Sequence, residues 1–245
     1  METPTYIALS RQMALRAQMD VVANNIANAN TSGFKAEMML MSEVELPAEK
    51  GTKLAYVQDF ATARDFSPGT LRPTGNDLDL AIQGNGFFAV QTPDGVRYTR
   101  VGRFQLNGDG ILVTSHGYPV LSGGSAVTID PDDGPVNVAE DGSISTDLAR
   151  NGQLLQVVGK LDVVDFKNRA ALTPAPDNLF DAGTQAPTEA TGKVAQRMLE
   201  DSNVNPIVEM TNMIEVTRNY QTVQKFLDGE HERQRRAINS ITSST

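Results

Sequence analysis

The 245-residue sequence has no cysteine, so disulfides and thiolate metal sites are excluded. It has no tryptophan and only two histidines, His116 and His231, too few imidazoles for a zinc site built mainly from histidine. Hydrophobic residues at 40% and aromatics at 6% suit a soluble protein with modest cores. No run approaches the roughly 18 apolar residues that span a bilayer, so membrane insertion is not expected. The N-terminus shows no basic n-region, apolar h-region or small-residue cleavage site. The expectation is a cytoplasmic protein, or one that leaves the cell without a cleaved signal. Positive charge is also short: the net charge of -9 argues against nucleic acid as a partner.

The distribution of that charge says more than its total. Residues 1–35 carry three basic and two acidic groups, and residues 197–245 carry six basic and seven acidic groups, so both ends are near neutral. The middle, 36–196, holds twelve basic and twenty-one acidic groups and carries the whole excess. Near-neutral ends with apolar stripes pack together without strong repulsion, and an acidic middle stays soluble.

The N-terminal segment, 1–35, reads as a helix. Thr3 and Pro4 suit a helix start. Leu15, Met19, Val22 and Ile26 are spaced 4, 3, 4 and share one face. A second row of Tyr6, Leu9 and Met13 widens the stripe, and Asn30-Thr31-Ser32-Gly33 ends the helix. Residues 36–75, punctuated by Pro47, Gly51, Pro68, Gly69, Pro73 and Gly75, read as an extended connector with one strand near 54–60. The middle, 76–196, is a β domain. Leu78, Leu80 and Ile82 alternate with polar residues, as do Val96 and Tyr98, then Phe104 and Leu106. Thirteen of the twenty glycines lie between Gly75 and Gly152, the pattern of many short strands. Leu154–Phe166 reads as one longer strand kinked at Gly159. The C-terminal segment, 197–245, returns to helix. Asn205 is the N-cap candidate, Pro206 takes the first helical position, and Met213, Val216, Tyr220, Val223 and Leu227 are spaced 3, 4, 3, 4 like a coiled-coil seam. Asp228-Gly229 is a point where the helix could break, but Ile238 and Ile241 extend an apolar face beyond it. Each stripe is too apolar to leave in water. Pairing within one chain and burial against other copies both satisfy it, and periodicity does not choose.

Candidate chemistry is thin. Gly84-x-Gly86 lacks the third glycine and the helix of a nucleotide loop, and reads as a hairpin turn. Asp109, Asp130, Asp132 and Asp133 lack the glycine and glutamate positions of a calcium loop. Glu230-His231-Glu232-Arg233 has no second histidine at metal spacing. Gly123-Gly124-Ser125 is not a nucleophile elbow. No catalytic residue, metal site or cofactor is expected. The asparagines stand out: Asn24, Asn25, Asn28 and Asn30 crowd the end of the first helix, with Asn24 and Asn28 on one face. Asn30 and Gly33 suit the helix exit, while Asn24 and Asn28 could fix register at a helix contact.

The run Ala23-Asn24-Asn25-Ile26-Ala27-Asn28-Ala29-Asn30-Thr31-Ser32-Gly33-Phe34-Lys35 resembles the N-terminal signature of bacterial flagellar rod and hook axial proteins. Thr74–Val90, with Tyr98-Thr99-Arg100 and Gly102-Arg103-Phe104, is similar to the start of that family's β domain. Leu199–Pro206, then Glu209-Met210, Met213-Ile214, Arg218 and Tyr220, resembles its C-terminal helix. The likeness covers nearly the whole chain in order, and 131–196 is its least distinctive part. The opening Ser10–Arg16 and the stretches Ile207–Thr211 and Gln224–Asp228 look most like proximal-rod members, with a distal-rod member as the alternative. The resemblance implies a mainly β central domain flanked by N- and C-terminal α-helices that pack together as a coiled-coil-like rod-core module. It implies a self-assembling structural subunit, not an enzyme, that transmits torque for motility. The implied partners are other copies, other rod proteins and the flagellar type III export apparatus. The implied location is the basal body where the rod crosses the periplasm. It favours burial of the stripes between subunits. The interface residues would be Leu15, Met19, Val22, Asn24, Asn25, Ile26, Asn28, Gly33, Phe34, Met213, Val216, Tyr220, Val223 and Leu227. A β-rich carbohydrate-binding or carbohydrate-acting module is the reading from another class, and a cleft with a carboxylate pair would favour it.

Overall fold

The computed structural model describes residues 3–47, 53–130, 134–146 and 156–242. Helix α1 spans Thr3–Ala27 and helix α2 spans Pro206–Thr242. Between them the chain is mainly β, as the sequence leads one to expect. At 1.5 Å per residue the helices run about 37 and about 55 Å. The start of α2 follows its local chemistry. Asn205 Oδ1 accepts from the backbone N–H of Ile207 at 3.1 Å and of Val208 at 3.4 Å, and Pro206 takes the position whose N–H would be orphaned. Glu209 in the first turn complements the helix dipole. Gly229 does not break α2, which continues through it to Thr242. The conformational cost of one exposed glycine, about 1 kcal/mol, is small beside a helix of this length.

The chain forms two compact units. One holds α1, α2 and the segment 36–65. In that segment, strand β1 (Glu37–Pro47) pairs antiparallel with strand β2 (Lys53–Arg64), in register from Glu37↔Arg64 to Pro47↔Lys53. A register shift falls at Ser42/Glu43. The stretch expected to be an extended connector is thus largely a long hairpin. Its first strand hides from a pattern search because Met38-Met39-Leu40-Met41 is apolar on both faces and shows no alternation.

The other unit comprises 29–35 and 66–203. Its largest sheet has six strands in the order Thr173–Ala175, Leu179–Asp181, Gly95–Thr99, Phe87–Thr92, Val163–Asp165, Thr188–Glu189. Every adjacent pair is antiparallel. The strand Phe87–Thr92 explains the core: alternate side chains enter opposite layers. Phe88 and Val90 join Leu80, Ile82, Phe104, Leu112 and Ile144 in one cluster. Phe87 and Ala89 join Tyr98, Phe166, Leu172 and Phe180 in the other. Phe66, Phe87 and Phe180 meet edge to face with centroids 5.3–5.7 Å apart. The single strand expected over Leu154–Phe166 is two strands, Gln156–Lys160 and Val163–Asp165, in different sheets. Gly159 marks a bulge: Ile144 pairs with Gly159 but Ser145 pairs with Val157. Leu154 lies outside the described residues.

Candidate functional site

The unit built from the helices holds most residues singled out in the sequence. A hydrogen bond joins the Gln12 and Gln224 side chains, and Thr217 Oγ1 lies 3.9 Å from Met19 Sδ. Numbers rise along α1 as they fall along α2, so the two helices are antiparallel. Leu15 and Val22 of α1, and Val216 and Leu227 of α2, are buried. Met19, Ile26, Met213, Tyr220 and Val223 are half-buried. Both stripes therefore supply a seam within one chain. The row Tyr6, Leu9 and Met13 does not widen that seam. At about 100° per residue it lies roughly 140° round the helix from it, and the three side chains are 65%, 46% and 59% exposed.

The asparagines fasten the hairpin to α1. Buried Asn25 donates from Nδ2 to the Glu37 carbonyl at 2.9 Å, and its Oδ1 accepts from the Glu37 N–H at 2.8 Å. Its amide thus mimics the edge of a neighbouring strand. Asn24 Nδ2 donates to Glu37 Oε2 at 3.0 Å, and Asn28 Nδ2 turns back to Asn24 O at 3.0 Å and Oδ1 at 2.9 Å. Glu37 also faces Arg64 at 3.6 Å. Burial lowers the Arg64 pKa and the Glu37 charge opposes that shift. These three asparagines are thus engaged within the chain.

Gly33 and Phe34 belong to the other unit, and both are buried. Gly33 has φ +72°, and a Cβ there would lie 2.6 Å from the Arg100 carbonyl carbon. The Gly33 N–H donates to the Glu200 carbonyl at 2.7 Å. Next to it lies a cluster that sequence reading did not assemble. Lys35 Nζ donates to Glu200 Oε1 at 2.6 Å and to the Ser67 carbonyl at 2.7 Å. Arg100 Nε sits 2.9 Å from Glu200 Oε2. All three side chains are 1–4% exposed. Lys35 and Arg100 close two of the segments quoted for their family likeness, and Glu200 is the second residue of a third.

Arg100 also defines the Gly84-Asn85-Gly86 turn. Its guanidinium donates to the carbonyls of Gly86 at 2.6 Å and Gly84 at 2.9 Å. The turn presents carbonyls inward to a cation, the reverse of the amide cradle that binds phosphate.

Two clefts in this unit bear on enzyme readings. One, of about 340 Å³, is lined by Arg72, Arg103, Ser115, His116, Tyr118 and Asp177 among others. Ser115 Oγ is 3.4 Å from His116 Nδ1, and His116 Nε2 is 3.4 Å from Asp177 Oδ1. Both spacings exceed the 2.6–3.2 Å of a nucleophile–base pair. The His116 side chain is half exposed, and Tyr118 donates to Asp177 Oδ2 at 3.0 Å. The other cleft, of about 310 Å³, includes Glu140, Asp141 and Glu189. Lys193 Nζ holds Glu140 at 2.6 Å. Hydrogen bonds from Ser143 keep Asp141 below the ordinary carboxylate range, the opposite of what a general acid requires. Among the described residues no three of His, Cys, Asp or Glu gather as metal ligands, and no helix is long and apolar enough to cross a membrane.

Three family models match the chain in order. Residues 6–35 match "Flagella basal body rod protein", 81–146 match "Flagellar hook protein FlgE/F/G D1 domain", and 195–240 match "Flagellar basal body rod FlgEFG protein C-terminal". The chain is 44% identical to the flagellar basal-body rod protein FlgF of Caulobacter vibrioides, over 98% of each chain. It is 35% identical to FlgF of Rhizobium meliloti over the whole of both. Against the rod protein FlgG of Buchnera aphidicola subsp. Schizaphis graminum the identity is 32%, over 88% of this chain and 90% of the relative.

Proposed function

The chain belongs to the flagellar basal-body rod protein family, and from that premise we propose that it assembles through its terminal helices into the proximal part of the rod. It is a structural subunit of the flagellar basal body. Its partners in this reading are further copies and other rod proteins. The proximal position rests on the identity to FlgF, 44% for the Caulobacter protein and 35% for two others, against 31–34% for FlgG proteins.

The observation that carries assembly through the helices is a mismatch in α1 and α2. Their facing stripes bury each other, yet Tyr6, Leu9, Met13, Ile207, Met210 and Ile214 remain exposed. Such apolar rows on a soluble helix pair mark a contact surface. The working residues of that module are Leu15, Met19, Val22 and Ile26 on α1 with Met213, Val216, Tyr220, Val223 and Leu227 on α2. They make the helix pair one rigid piece, and Asn24, Asn25 and Asn28 fix the hairpin to it. Gly33 and Phe34 begin the β unit that the module carries. Torque passes along such a rod because each subunit is held by many repeated contacts. The mechanism is mechanical, and no step of bond chemistry is needed.

The reading includes unfolded export by the flagellar type III apparatus without a cleaved signal, and residence where the rod crosses the periplasm. A cysteine-free sequence supports that site, since stray thiols would oxidise there. The test is to isolate basal bodies from cells whose only copy carries an epitope tag. Tag in the rod fraction, and loss of the rod when the gene is deleted, are expected. Basal bodies that form normally without the chain would refute it.

A further inference from the structure

Helices α1 and α2 pair side by side, yet 178 residues, 28–205, separate them along the chain. Met19 lies level with Thr217, so the end of α1 and the start of α2 fall at the same end of the antiparallel pair. A flexible loop of that length opposes the meeting of its ends through its conformational entropy. The β unit removes most of that loop.

Residues 29–35 and 66–203 belong to the β unit, and its first and last segments are bonded to each other. The Gly33 N–H donates to the Glu200 carbonyl at 2.7 Å, and Lys35 Nζ donates to the Glu200 carboxylate at 2.6 Å. Strand Met198–Glu200 pairs antiparallel with Leu71–Pro73, and Lys193–Gln196 pairs antiparallel with Leu80–Gln83. Asn203 Nδ2 donates to Ser67 Oγ at 3.1 Å. Phe34 and Leu199 are buried. With Gly33 held at Glu200, the connection between the helices shortens to residues 28–33 and 200–205, six on each side. Closure that weakens with the three-halves power of length then favours the helix pair roughly 60-fold more.

We propose that the β unit is a clasp for the helix pair: closed, it sets α1 and α2 as the two arms of a helical hairpin, and open, it releases them. Because Glu200 belongs to the last segment of the unit, the clasp shuts only once nearly the whole unit is in place. A chain whose β unit is still open presents no stable helix pair, so closure licenses the chain for assembly. That consequence rests on the terminal helices being the assembly module; the clasp itself does not.

The test lengthens the connection and leaves its contacts in place. Flexible Gly/Ser inserts of 12 and 36 residues are placed between Asn203 and Val204 of the full chain. The Asn203–Ser67 bond stays on one side of the insert and the Asn205 cap on the other. Hydrogen exchange is read at the seam amides of Val22 and Val216, under conditions where the rate follows the opening equilibrium. Rates at Phe88 and Val90 in the β unit are the reference, so a general loosening divides out. With the clasp, the connection grows from about 12 residues to about 24 and 48, and seam exchange should speed up about 3-fold and about 8-fold. Without it, the loop grows from about 178 to about 190 and 214, and the rates should rise only about 1.1-fold and 1.3-fold. Rises that follow the second pair of values overturn the proposal. So do seam amides that exchange as fast as an unfolded chain before any insert is made. Basal bodies that form normally without the chain would overturn the assembly reading and leave these ratios as they are.

Discussion

Glu200 sits 1% exposed between two cations, Lys35 at 2.6 Å and Arg100 at 2.9 Å. Removing its charge leaves two buried cations without their counter-charge. Glu200→Gln should therefore destabilise the β unit by about 3–5 kcal/mol in urea unfolding. The exposed Glu140–Lys193 pair is as short, at 2.6 Å, but Glu140→Gln should leave the transition in place, because water already solvates both ends. Equal effects from the two variants would show that burial does not set the value of the ion pair. At Gly33 the strain is in the backbone. With φ +72° and a would-be Cβ 2.6 Å from Arg100, Gly33→Ala should cost about 1–2 kcal/mol from the left-handed conformation, and more from the clash. An unchanged thermal midpoint for that variant would count against the geometry. The left-handed backbone at Gly33 was legible because glycine after Asn30-Thr31-Ser32 has a local meaning, although α1 ends earlier, at Ala27, and Gly33 lies in the β unit. The Lys35–Glu200 bond was not, because it joins positions 165 apart and paired charges at that distance leave no spacing to read.

Helices were the most legible elements, since their 3.6-residue period repeats over many turns. Even so, the sequence was read as letting Tyr6, Leu9 and Met13 widen the seam, which they do not, whereas Ile238 and Ile241 did point to α2 continuing past Gly229. Of the hairpin, the strand expected near 54–60 is present as β2, while β1 was missed because its Met38–Met41 run lacks alternation. Short strands of the β unit carried clear turn chemistry, while their order in the sheet depends on long-range pairing that no local pattern records. One local device there makes a pH prediction. Arg169 grips Asp165 through two hydrogen bonds, 2.8 and 2.7 Å, and the Phe166 N–H adds a third at 2.7 Å. Chiefly through the Arg169 hydrogen bonds, the Asp165 pKa lies below its ordinary value of 3.8. A carboxylate lowered by folding stabilises the folded state above its unfolded pKa. That stability is lost as pH falls through the lower, folded value. Asp165→Asn should thus lower stability at neutral pH and flatten its decline at acid pH, measured as unfolding free energy against pH. A parallel acid limb in the variant would show that Asp165 contributes nothing to it.

For the molecule as a whole, the division of labour follows from where apolar surface is satisfied. The β unit closes both of its cores within the chain, with Phe87, Phe88 and Val90 at 0–2% exposure. The helix pair closes only its seam.

The most direct test of assembly through the terminal helices is a paired substitution in the seam, Tyr220→Asp with Leu227→Asp, carried by the only copy of the chain in the cell. Each unpaired charge placed against α1 should cost several kcal/mol, which would splay the helices. The β unit contains neither residue, so its cooperative melt should stay where it is. The measurement is an electron-microscopic count of rods in purified basal bodies, alongside an assay for the exported chain. The account predicts a soluble, exported variant, basal bodies without a complete rod, and cells that do not swim. Normal rods built from the doubly substituted chain would contradict it.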